Sequence, residues 1–116
     1  MMKETIQNKI FPIVCESVNL AIAAHNGNLL HDAMPANIAS NRKKEKLCVS
    51  MSRSFAVVIM RDMYGCSFPF ISGVIRAHIN SVLRMARKCR YYIKTDPMYS
   101  EAYETMKRRI KESWHE

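Results

Sequence analysis

The stretch that decides the fold is residues 52–88, SRSFAVVIMRDMYGCSFPFISGVIRAHINSVLRMARK. Its first part holds the apolar run of residues 55–60, with Arg53, Arg61 and Asp62 at the two ends. Sustained alternation of period two is missing. A helix over residues 52–64, buried on most sides, therefore fits better than a lone strand. Gly65 stops that helix. Ser67 can cap the next one, and Pro69 is tolerated in a first turn, where a missing N–H is harmless. This second helix is brief, residues 68–74, with Gly73 near its end. A longer third helix is expected over residues 78–94. Ile79, Val82, Leu83, Ala86, Cys89 and Ile93 make its apolar side. Asn80, Ser81, Arg84, Arg87, Lys88 and Tyr91 make the other. Helix, tight turn, short helix, turn and basic amphipathic helix is the order of a helix-turn-helix.

The same reading extends outward in both directions. Upstream, Ile6, Ile10, Ile13, Val14, Ser17, Val18, Ala21 and Ile22 fall on one face of a helix over residues 5–24. Pro12 interrupts its first part, so the regular helix can also begin there. Asn26 and Gly27 end it. Residues 28–35 read as a loop closed by Pro35, with a short helical turn over residues 36–39. Downstream, Asp96 and Pro97 restart a helix over residues 97–113, Asp as cap and Pro in the first turn. Met98, Ala102, Met106 and Ile110 share one face of it, with Tyr99 and Tyr103 beside them. Lys107, Arg108, Arg109 and Lys111 suit the negative C-terminal end of that helix and are read as dipole partners rather than DNA contacts. The expected fold is all-α: a compact single helical domain of five to six helices over residues 1–116. Residues 1–37 form an N-terminal helical extension. It either packs on the rest to complete the core or pairs with a second copy as a homodimer.

Charge narrows the function. The formal net charge is +8 in 116 residues and the isoelectric point is about 9.6, which favours an acidic partner, most commonly nucleic acid. The excess is one-sided. Residues 1–41 carry a net −1 and residues 42–116 a net +9. Residues 76–94 hold Arg76, Arg84, Arg87, Lys88, Arg90 and Lys94 without a single acid. A second cluster, Arg42, Lys43, Lys44 and Lys46, is broken only by Glu45. Patches of one sign read as an electrostatic footprint; the alternative is a solvated helix face.

Other classes find no support. The longest apolar run is far short of the roughly 20 residues that cross a bilayer, and no long apolar stretch follows Met1-Met2-Lys3-Glu4, which predicts no secretory signal. Cys15, Cys48, Cys66 and Cys89 contain no Cys-x-x-Cys pair, and His25, His31, His78 and His115 are scattered, so neither zinc nor catalysis is indicated. Dispersed cysteines without a signal read as reduced, mostly buried thiols. No phosphate-binding glycine loop is present, so no nucleotide and no cofactor is expected.

Residues 52–88 resemble the C-terminal DNA-binding domain of the bacterial replication initiator DnaA. That family opens with an Arg-led apolar helix, matched at Arg53, and continues through Ser-Leu-Pro, matched by Ser67-Phe68-Pro69. An Ile two residues after the Pro is matched by Ile71. Its recognition helix carries Thr-Thr-Val-Leu and, four residues later, Arg-Lys. Asn80-Ser81-Val82-Leu83 and Arg87-Lys88 keep that spacing. Residues 38–43 resemble the family's basic linker, and the whole resemblance spans residues 38–110. Where the family has Gly-Gly-Arg-Asp-His, this chain has Ile75-Arg76-Ala77-His78-Ile79, one residue shorter. His78 and Ile79 thus take the Asp-His places. No ATPase domain accompanies these residues.

The resemblance implies a Trp-repressor-like helix-turn-helix that binds double-stranded DNA, with the cytoplasm and its nucleoid as the expected setting. It implies that Arg53 reaches the minor groove; the alternative is a salt bridge or cap at a helix start. Asn80 and Ser81 are candidates for base or phosphate contact, or else a capping pair. His78 either contacts DNA or caps the helix. Arg84, Arg87 and Lys88 are phosphate contacts, Arg42 and Lys43 follow the backbone, and Ser67 completes the set. Arg53 and Arg87 are both expected to be exposed. The competing reading is a protein-interaction or regulatory module that keeps the scaffold without reading DNA.

Overall fold

The computed structural model describes residues 2–26, 33–39 and 47–114. In chain order its elements are α1 (Met2–Thr5), a π-helical segment (Ile6–Ile10), α2 (Phe11–Asn26), α3 (Pro35–Ile38), α4 (Leu47–Tyr64), α5 (Phe68–Ile75), α6 (Ile79–Thr95) and α7 (Pro97–Ser113). There is no strand among the described residues. The all-α class expected from the sequence is the one observed.

The middle of the molecule is α4. Phe55, Val57, Val58, Ile59 and Met60 are fully buried, and the helix packs against α2, α3, α5 and α6. It begins at Leu47, five residues ahead of the expected start. Cys48, Met51, Ser52 and Phe55 are all buried, and their spacing of three and four keeps one face continuous through the serines. Polar residues at 50, 52 and 54 hide that face from a reading that begins with the densest apolar run.

The N-terminal helix solves its proline differently from the expectation. It starts at Met2 and runs through Pro12 without a break. Pro12 lacks an N–H, and in a regular helix its ring collides with the carbonyl four residues back. The π-segment just ahead widens the turn, with the Phe11 N–H donating to the Ile6 carbonyl. One loosened turn thus accommodates the ring. Ile6, Ile10, Phe11, Val14, Cys15, Val18, Ala21 and Ile22 are buried in the same core as α4, Met106 and Ile110. The apolar face therefore completes the core against α7 and α4. That face is covered within the chain, as expected for an extension that packs on the rest. Asn19 fixes the return of the chain by a double hydrogen bond with Ala33: Nδ2 donates to its carbonyl at 3.0 Å and Oδ1 accepts from its N–H at 2.9 Å.

Two turns lead from α4 to α6. Gly65 adopts φ +62 after α4, a left-handed conformation natural to glycine. The Cys66 N–H then donates to Met60 O, and Arg61 Nη1 donates to Cys66 O at 3.0 Å. Ser67 caps α5, its Oγ accepting from the Phe70 N–H. The short helix expected over residues 68–74 is observed one residue longer, over Phe68–Ile75. Ile71, Val74 and Ile75 are buried, and packing of that face outweighs the roughly 1 kcal/mol that a mid-helix glycine costs. Arg76, Ala77 and His78 then connect α5 to α6.

All four cysteines are free and buried. Burial pushes the Cys15 thiol up to about 11 and the Cys89 thiol up to about 12, which keeps both protonated and unreactive near neutral pH. Among the described residues no helix is long and apolar enough to cross a membrane.

Candidate nucleic-acid interface

The amphipathic helix α6 has one face in the core and one in solvent. Val82, Ala86 and Cys89 are buried where the helix meets α4, α5 and α7. At 100° per residue the opposite side is the row Asn80, Arg84, Arg87 and Tyr91, spaced four, three and four. All of them are exposed, as is Lys88 on the flank, while Ser81 is half-buried beside it. His78 begins the helix, its Nδ1 accepting from the Asn80 N–H at 3.1 Å. The capping alternative for His78 is thus realised, whereas Asn80 and Ser81 do not form the capping pair.

The cations of the chain divide into tied and untied groups. Arg90 points toward α4 and grips Asp62 with both terminal nitrogens, at 3.0 and 2.6 Å. The Tyr103 hydroxyl from α7 donates to the same carboxylate at 2.7 Å. Partial burial pushes the Asp62 carboxyl up, but the Arg90 and Tyr103 hydrogen bonds and the Arg90 charge together hold it below the ordinary value. Arg61 lies 4.7 Å over the Phe68 ring. On α7, Lys107 pairs with Glu104 and sits over Tyr103, Arg108 pairs with Glu112, and Arg109 reaches Glu16 on α2 at 3.0 Å. By contrast, among the described residues no carboxylate pairs with Arg76, Arg84, Arg87, Lys88 or Lys94. The sequence cluster therefore loses Arg90 to a structural lock and keeps the others on and around the outer face of α6.

Arg53 departs most from expectation. It is 6% exposed, not a surface side chain. Its Nε donates to Ile38 O at 3.1 Å and its Nη2 to Ile75 O at 3.2 Å. Those two carbonyls end α3 and α5, and their lone pairs have no helical partner ahead of them. The guanidinium fork supplies donors for both and so ties α3 and α5 to α4. The early start of α4 explains the displacement: it puts Arg53 in the second turn, on a packed face, rather than at an exposed helix end. Minor-groove contact by Arg53 is thereby withdrawn.

Ser67 is exposed, and its hydroxyl is occupied as the α5 cap. Arg42 and Lys43 lie outside the described residues. Arg76, which the sequence reading counted in the basic cluster but did not single out, stands at the corner ahead of α6. It adopts φ 56 and ψ 53, and its N–H donates to Ser72 O. This is the left-handed position that ends many helices and usually holds glycine. No local sequence signal marks an arginine for it. Among the described residues no group of acidic, histidine or cysteine side chains could hold a metal ion.

Compared with protein-family models, curated proteins and solved structures, the chain matches none.

Proposed function

We propose that this chain binds double-stranded DNA without catalysing a reaction, with α6 lying against the major groove. The observation that carries the reading is the partition of charge. Among the described residues Arg53, Arg61, Arg90, Lys107, Arg108 and Arg109 are held by carboxylates, carbonyls or rings, and Lys9 and Lys111 stand apart without a partner, while the cations on the outer face of α6 are exposed, unpaired and grouped. Arg84, Arg87 and Lys88 suit phosphate oxygens, which supply most of the affinity and position a protein on the duplex. Asn80 and Ser81, near the helix N-terminus, carry the amide and hydroxyl that can meet base edges. The order α5, three-residue connection, α6 supports a helix-turn-helix docking mode, as does the likeness of residues 52–88 to the DNA-binding domain of DnaA. A role in replication- or transcription-linked regulation, at the nucleoid, follows from that likeness. Arg53 serves here as the brace that holds α5 in place, not as a contact.

Selection of bound duplexes from a random pool tests this reading. Enrichment of a short common sequence is expected, and Arg87→Ala is expected to weaken binding of the selected duplex about ten-fold while leaving the denaturation midpoint unchanged. Retention of no duplex at low salt would contradict it. Exposed Leu83 and Tyr91 beside the basic row favour the second reading, a module that docks an acidic protein through the same face. Binding of such a partner with no duplex affinity would favour that reading.

A further inference from the structure

On the flank of the basic row, a cleft of about 200 Å³ opens between α4, α6 and the start of α7. Ser50 and Ser54 line it from α4, Ser81, Arg84 and Lys88 from α6, and Tyr99 from α7. Ser50 and Ser54 are four apart on one helix, so both hydroxyls face the same way. Ser81, Arg84 and Lys88 are three and four apart on the facing helix, with the same consequence. The cleft has two guanidinium or ammonium groups and no acidic residue in its lining. Among the described residues, none of the three serine hydroxyls is engaged by another group of the protein.

Cations alone on a helix are a solvated face. Free hydroxyls gathered in a concavity beneath two unpaired cations are different, because they supply short, directed donors where charge is already favourable. We propose that this cleft is an oxyanion pocket that takes a single phosphate group. Arg84 and Lys88 neutralise it and the serine hydroxyls donate to its oxygens. Charge-assisted hydrogen bonds of this kind are about twice as strong as neutral ones. Burial pushes the Tyr99 phenol up to about 12, so it remains a neutral O–H in the wall and adds no repulsion. Met85 and Cys89 form the apolar floor.

The phosphate has two sources of the same chemistry: the sugar-phosphate backbone of a duplex held on α6, or a free phosphomonoester. The pocket stands independently of DNA binding, because inorganic phosphate alone probes it. The test is a titration of the full chain with inorganic phosphate against a chloride reference at equal ionic strength, followed by amide NMR shifts. Saturable shifts are expected at Ser50, Ser54, Ser81, Arg84 and Lys88. Ser50→Ala with Ser54→Ala, which alters no charge and leaves the α6 contacts in place, is expected to raise the phosphate dissociation constant about ten-fold. Lys88→Gln is expected to abolish saturation. No saturable shift, equal shifts at Lys9 and Lys111, or wild-type affinity in the double serine variant would overturn the proposal. A duplex titration of that variant then separates the sources. Weakened duplex binding, with phosphate competing, assigns the pocket to the backbone. Unchanged duplex binding alongside lost phosphate binding assigns it to a free phosphomonoester.

Discussion

Arg53 joins three helices through one planar group. Its Nε and Nη2 reach the Ile38 and Ile75 carbonyls from a side chain that is almost wholly buried. A guanidinium in that position is costly to bring out of water, and the Ile38 and Ile75 carbonyls compensate part of that cost. Removing it is costlier still, because two carbonyls lose their donors and a cavity opens beside them. Arg53→Ala is expected to lower unfolding stability by about 3 kcal/mol, measured by urea denaturation, and Arg53→Lys to recover only part of it, since a single ammonium does not span both carbonyls. A loss below about 0.5 kcal/mol would place the side chain at the surface. Nothing in the local sequence distinguishes this arginine from an exposed helix leader. Its burial follows from where α4 starts and from two carbonyls that are distant in sequence. The residues of the outer row are a contrasting case. Arg84, Arg87 and Lys88 were legible as exposed, because the apolar positions of α6 alone determine which side of that helix faces the core.

At the scale of elements, the helices and their punctuation were largely legible. Gly65 stops α4, Ser67 opens α5, and Asp96 with Pro97 opens α7, the Asp96 carboxylate accepting from the Met98 N–H. Each of these is a local backbone requirement, and local requirements show in local sequence. The misses have nonlocal causes. The buried surface of α4 extended its start, and a π-turn absorbed Pro12. The lock among α4, α6 and α7 is a further nonlocal feature: Asp62, Arg90 and Tyr103 meet across long separations. It gives a pH dependence with a definite sign. The Asp62 carboxyl is lowered from its ordinary value of 3.8, so the folded state binds its proton less readily than the unfolded chain. The contribution is complete above that value and is lost as pH falls through the folded pKa. The stability gap between the wild type and Asp62→Asn, followed by urea denaturation, is expected to be widest near pH 6 and to shrink between about pH 4 and pH 2. A gap that stays constant across that interval would contradict the lock.

At the scale of the whole molecule, the net +8 acquires an address. Ion pairs within α7, from α7 to α2 and from α6 to α4 consume charge for structure, and what remains unpaired among the described residues is concentrated around α6. The N-terminal helix closes the core rather than offering its apolar face outward. Among the described residues the exposed, unpaired cations Arg76, Arg84, Arg87, Lys88 and Lys94 thus gather on and around one helix. The one-sided charge was legible in the sequence, but the exclusion of Arg53 and Arg90 from it was not, because both depend on tertiary partners. If Arg76, Arg84, Arg87 and Lys88 neutralise about four phosphates, the logarithm of duplex affinity falls against the logarithm of salt concentration with a slope near −4. A fluorescence anisotropy titration of a labelled duplex at several salt concentrations measures that slope. Binding at low salt with a slope near −4 is the predicted result; no binding at low salt, or affinity independent of salt, would contradict the assignment of α6 as a duplex-binding face.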